Sequence, residues 1–85
     1  MSLTPLAPFW KCFEALPASV QKLAREKYFL WKSDPYHASL HFEERRNGIY
    51  VIRIGGHYRA VGLREGEDLA WFWIGTHEEY NRFRF

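Results

Sequence analysis

The 85-residue chain has one cysteine, Cys12, so no disulfide can form within it and a disulfide-stapled scaffold is excluded. No apolar run approaches the ~20 residues of a membrane-spanning helix. No charged segment followed by an apolar stretch marks a signal peptide, so a cytoplasmic location without membrane association is expected. Repeats and low-complexity tracts are absent, and the length suits one core, so a single domain over residues 1–85 is expected. His37 and His41 stand four apart, a spacing that suits a metal pair on a helix. Here they fall in a loop and a strand, where that spacing does not converge, and no third ligand is near. No metal and no small-molecule cofactor is expected. The net charge of +2 is too small to define a partner.

Aromatic residues are plentiful: 19% of the chain, including four Trp. That content lets a small core bury enough apolar area to offset chain entropy. The stretch from Arg45 to Thr76 organises the rest. Three β-rich runs, Ile49–Ile54, Tyr58–Arg64 and Leu69–Ile74, are separated by Gly55-Gly56 and by Glu65-Gly66-Glu67-Asp68. Asn47-Gly48 precedes the first, and a type I′ turn there needs φ > 0 at both central positions. Strands joined by turns this short run antiparallel. Leu40–Arg45 alternates apolar and polar and predicts a fourth strand, so the meander has three to four strands. Tyr50, Ile52 and Ile54 share one face, and Ile49, Val51 and Arg53 the other. Alternation places Trp71 with Trp73 and Phe72 with Ile74. Both faces of this last run are apolar, which predicts a strand paired on both sides. Gly62 inside a strand predicts a bulge or close approach.

The spacing of Phe9, Trp10, Phe13 and Leu16 predicts a helix over about Pro8–Ala15, with Cys12 as a small buried hydrophobe. Pro17 opens a second helix that runs to about Ser33 and stops at Asp34-Pro35. Leu16-Pro17 makes a tight corner, so the two form an αα-hairpin that covers the meander. Thr76 followed three residues later by Glu79 is a capping box, which starts a short helix at His77. Free N–H groups at such a start suit a phosphate, an attraction weakened here by Glu78 and Glu79. The fold class is therefore α+β: an N-terminal αα-hairpin on an antiparallel meander, closed by a short C-terminal helix.

Charge is unevenly distributed. Between Arg45 and Arg64 there are five Arg and no carboxylate. The guanidinium fork matches phosphate geometry, so an Arg-rich sheet is a candidate phosphate surface. A solvated outer face that blunts edge pairing accounts for the same pattern.

Two helices, an antiparallel sheet with Tyr58-Arg59 in a middle strand, and the ending Ile74-Gly75-Thr76-His77-Glu78-Glu79-Tyr80 together resemble the RelE/ParE superfamily of toxins from type II toxin–antitoxin modules. The match covers about Phe9 to Phe83, and the ending is similar to the Gly-Ser/Thr-His ending of the YafQ-like branch, where that histidine is catalytic. The resemblance implies a toxin acting as a metal-independent endoribonuclease that cuts mRNA on the ribosome, with a cognate antitoxin as partner. His77, Arg59 and Tyr80 become the candidate catalytic residues. Arg53, Arg45, Arg46, His57 and Arg82 become candidates for RNA phosphate binding. Members of the ParE branch instead inhibit DNA gyrase, and a degenerate member would only bind an antitoxin. The family's usual opening strand is expected to be absent or vestigial here, because few residues precede Pro8 and they contain proline. Each candidate has a plainer reading: His77 as an exposed first helical residue, Tyr80 as sheet packing, His57 as a turn residue, and Arg59 or Arg53 as a cross-strand partner of Glu43 or Glu44.

Overall fold

Apolar side chains along Ile49–Ile54, Tyr58–Arg64 and Leu69–Ile74 supply the inner strands of one sheet. The computed structural model describes residues 3–5 and 7–83. The sheet comprises β1 (Leu3–Pro5), β2 (Glu43–Arg46), β3 (Ile49–Ile54), β4 (Tyr58–Glu65) and β5 (Asp68–Thr76), in the order β1-β5-β4-β3-β2. From β2 to β5 it is an antiparallel meander, as expected. Of the two expectations for the opening strand, absent or vestigial, the second holds: it is three residues long. β1 is present and pairs parallel with β5, Leu3 opposite Leu69 and Pro5 opposite Trp71. It lies at the sheet edge, where a proline without an N–H is tolerated.

This makes β4 the middle strand of five. Among the described residues, β5 is paired on both sides along Leu69–Trp71 and by β4 alone beyond that. The turn at Asn47-Gly48 also differs from a type I′ turn. Gly48 has φ 83°, but Asn47 is not at positive φ, and the ladder shifts register between Glu44 and Arg46. All four residues of β2 are exposed and charged, which discourages further strands from adding to that edge.

The predicted αα-hairpin is α1 (Ala7–Glu14) and α2 (Ala18–Ser33), with Pro17 at the N-cap of α2. The Leu16 N–H donates to the Phe13 carbonyl at 3.1 Å and closes the corner. Phe13, Ala24 and Trp31 of the hairpin meet Ile52, Ile54, Ala60, Trp71 and Ile74 of the sheet in one core, with Cys12 packed at its margin. Each large aliphatic or aromatic side chain buried there contributes about 1.5–3 kcal/mol. Trp31 and Trp71 meet edge to face at 5.7 Å, a geometry worth about 0.5–1.5 kcal/mol beyond the area buried. Trp10, on the expected apolar stripe, stays 45% exposed, and Phe29 is 65% exposed.

A bulge corrects the expected faces of β5. Val61 pairs with Trp73 and Gly62 with Trp71, so Phe72 is an extra residue in the ladder. Trp71 therefore joins Ile74 on the helix side, while Trp73 turns to the opposite face and packs on Phe83 at 4.8 Å. Gly62 permits the bulge, since a Cβ there would lie 3.0 Å from the Trp71 ring.

The predicted strand over Leu40–Arg45 begins late. Ala38–Leu40 form a 3-10 turn capped by His37, whose Nδ1 accepts the Ser39 N–H at 3.1 Å. Complete burial of Leu40 holds that turn under the sheet, so pairing starts at Glu43. The capping box is present as expected: α3 (His77–Tyr80) starts after Thr76, whose hydroxyl accepts the Glu79 N–H at 3.1 Å.

Candidate active site

Strand alternation sends Arg53 and Arg59 to the sheet face away from the helices, because their neighbours Ile52, Ile54 and Ala60 fill the core. The β3–β4 register sets the two arginines directly opposite each other. The end of β5 then delivers α3 beside them. The result is a cleft of about 270 Å³ lined by His41, Glu43, Arg45, Arg53, Arg59, His77, Tyr80 and Asn81, floored by Val51 and Ile52.

The backbone fixes His77 firmly. Its N–H donates to the His57 carbonyl at 2.7 Å, tying the start of α3 to the turn before β4. Thr76 and Glu79 satisfy each other, with the Thr76 N–H donating to Glu79 Oε1 at 3.0 Å. Of the amides at this helix start, those of Thr76, His77 and Glu79 are thus occupied by the chain itself. The His77 side chain is half-buried at the cleft wall.

The arginines lack the partners that a structural role requires. Glu43 pairs with Arg45 at 3.2 Å, and Glu44 accepts the Gly48 N–H at 2.9 Å. Among the described residues, neither Arg53 nor Arg59 has a carboxylate within ion-pair distance. Arg59 donates to the Tyr58 carbonyl at 2.8 Å, which orients its guanidinium. Burial, and then the neighbouring Arg53 charge, lower the pKa of Arg59. Arginine stays charged all the same, so the pair forms a positive site without a carboxylate counter-ion among the described residues. Like charges directly opposite in a sheet are destabilising, and an anion between them removes that cost.

Tyr80 sits across from this pair. Burial pushes its phenol up, and Arg45 acts in the opposite direction. A raised phenol stays protonated at neutral pH and serves as a hydrogen-bond donor.

Of the eight candidates, His77, Arg59, Tyr80, Arg53 and Arg45 converge on the cleft. His57 stands at its margin, exposed, with its ring 6.1 Å from the His77 ring. Arg46 is exposed on β2 and lines no part of the cleft. Arg82 lies on the other side of α3, in a shallow depression with Trp73, Glu79 and Phe83. Sequence reasoning missed His41, Glu43 and Asn81 as lining residues. For His41 a signal existed, since the alternation of Leu40, His41 and Phe42 already sends it away from the core.

Comparison with known proteins supplies the family. A family model described as the ParE-like toxin domain matches residues 18–82, well over half of the chain. The chain belongs to the ParE-like toxin domain family. No curated protein sequence matches it significantly. Among solved structures, the RelB–RelE antitoxin–toxin complex from Methanococcus jannaschii is similar with a TM-score of 0.71 at 17% identity, over 94% of this chain and 98% of that one. YafQ from E. coli gives 0.70 at 13% identity, over 93% and 96%. The YoeB/ParE toxin from Agrobacterium tumefaciens gives 0.69 at 19% identity, over 91% and 99%. At such identities the likeness shows a shared fold, and it places this ParE-like domain on the same scaffold as the RelE and YafQ toxins. Among the described residues, no helix is long and apolar enough to cross a membrane.

Proposed function

We propose that this ParE-like domain is the toxin of a toxin–antitoxin module and acts as a metal-independent endoribonuclease on mRNA bound to the ribosome. The observation that carries the reading is the cleft: His77, Arg53, Arg59 and Tyr80 come from three separate elements and meet around a positive site that has no carboxylate partner among the described residues. RNA cleavage through the ribose 2′-OH needs proton transfer and positive charge at the phosphate. Histidine titrates near neutrality and supplies the first. Arg59 and Arg53 supply the second. Tyr80 donates a hydrogen bond to a phosphate oxygen or orients the scissile nucleotide.

A second reading is gyrase inhibition without chemistry, which the resemblance to the ParE branch implies and which the ParE-like description of the matching family leaves open. Induction in cells separates the two. Cut mRNA with normal DNA supercoiling supports the nuclease, whereas lost supercoiling with intact mRNA supports the gyrase inhibitor. A small antitoxin is the proposed partner. The similarity to RelB–RelE complexes supports it, as do the exposed Trp10 and Phe29 on the helices. Its acidic groups would lie near the arginines. Co-expression with the neighbouring reading frame is expected to give a complex and relieve toxicity.

A further inference from the structure

One side chain in the cleft has no part in bond cleavage. Asn81 lines the cleft beside His77 and Tyr80, and it is the one side-chain amide among the lining residues. It sits at the C-cap of α3 in ordinary right-handed geometry, φ −64° and ψ −15°. Its backbone N–H donates to the His77 carbonyl at 2.9 Å, so the main chain holds its position. The side chain takes no part in that cap. Among the described residues the amide makes no hydrogen bond, and the residue is exposed.

Helical spacing sets where this amide stands relative to the chemistry. Asn81 follows His77 by four residues, so both side chains leave α3 on one side, with Cβ atoms about 5–6 Å apart. Arg53 and Arg59 mark where a phosphate sits. With His77 at the adjoining sugar, the base on that sugar extends past the imidazole toward Asn81. Glu43 is held by Arg45 at 3.2 Å, and Arg59 is oriented by the Tyr58 carbonyl at 2.8 Å. The amide differs from these charged groups. It offers a donor and an acceptor side by side and stays neutral over the range in which histidine titrates. That pattern suits the edge of a base and not a phosphate, which the amide carbonyl repels.

We propose that Asn81 is a specificity-determining residue that reads adenine in a nucleotide flanking the scissile phosphate; the proposal rests on the nuclease reading above. Unstacked RNA bases are read on their Watson–Crick and Hoogsteen edges. On the Hoogsteen edge adenine alone presents a donor, N6, beside an acceptor, N7, and these satisfy both ends of the amide. Guanine presents two acceptors there, so one of them faces the amide carbonyl. Cytosine and uracil each present a single group.

The test is single-turnover cleavage on isolated ribosomes programmed with mRNAs that differ only in the bases flanking the cut. Wild type is expected to cut beside adenine about 5–10-fold faster than beside the other bases, the lower end for a bidentate base contact because the amide is exposed. Asn81→Ala is expected to lose that preference by slowing at adenine. Its Tm should stay within a few degrees of wild type, since the cap bond belongs to the backbone. Asn81→Asp keeps the shape and has no donor. It too is expected to lose the preference for adenine, and to favour guanine, whose N1–H and N2–H both donate to a carboxylate. An adenine preference kept by both variants, or a wild type that cuts equally beside all bases, would overturn the role of Asn81 and leave the nuclease reading standing. A wild-type protein that cuts no RNA would overturn both.

Discussion

Arg53→Gln is expected to stabilise the protein while disabling it. Arg53 and Arg59 are a directly opposed cross-strand pair with no carboxylate partner among the described residues. Such like-charge pairs cost about 0.2–1 kcal/mol. Gln keeps part of the aliphatic stem and removes the charge, and Arg53 is exposed, so little packing is lost. In a domain of this size about 1 kcal/mol moves Tm by 4–8 °C, so the variant should melt about 1–8 °C higher at low salt. At 1 M salt the screening length falls to about 3 Å, and the difference should vanish. Inorganic phosphate should raise the Tm of wild type more than that of the variant. Removing one preorganised charge from the site should slow RNA cleavage about 10²–10³-fold. The measurements are calorimetric melts over a salt series, run beside ribosome-dependent cleavage. A lower Tm, or a rise that persists at 1 M salt, would refute the reasoning that this pair is an electrostatic cost retained for an anion.

Two further changes probe the support of α3. A Cβ at Gly75 would collide with the Trp73 ring at Cζ2 and lie 3.0 Å from Glu79 Oε1. Gly75→Ala should therefore destabilise by about 1–3 kcal/mol in denaturant titration, the usual cost of overpacking, and should displace His77. The Glu79 carboxylate is held below its ordinary value by its hydrogen bonds to Thr76, backbone first. Because its pKa is depressed in the folded state, its share of stability is full above about pH 4.3 and is lost as pH falls below that. Thr76→Ala should cost about 0.5–2 kcal/mol at neutral pH, the price of a lost cap. It should also flatten part of the stability loss as pH falls below about 4.3, which melts over a pH series would reveal.

Local chemistry made much of the fold legible. Periodicity gave the αα-hairpin and the strand faces of β3 and β4. Thr76 and Glu79 marked the start of α3 to the residue, because both halves of a capping box lie within four positions. Three features escaped for physical reasons. The bulge at Phe72 turns on a local mismatch with Val61 and Gly62, which alternation within β5 cannot reveal, so Trp73 does not share the face of Trp71 as alternation predicts. His41 is left-handed, at φ 46° and ψ 46°, where it caps the Ala38–Leu40 turn beside the buried Leu40, and strand alternation does not announce that turn. β1 pairs with a strand more than sixty residues away, and nothing local announces a three-residue parallel edge. The site was legible mainly through resemblance. Spacing alone could not say that Arg53, Arg59 and His77 share a face; the β3–β4 register and the tie between the His77 N–H and the His57 carbonyl bring them together.

The most direct measurement compares purified wild type and His77→Ala on mRNA-programmed ribosomes, with Tm recorded for both. The anchor of His77 to His57 is a backbone hydrogen bond, so alanine retains it and the Tm should stay within a few degrees. Wild type should cut the mRNA, and His77→Ala should be slower by about 10²–10⁴-fold and non-toxic on induction. A fully active, fully toxic His77→Ala protein would contradict the account.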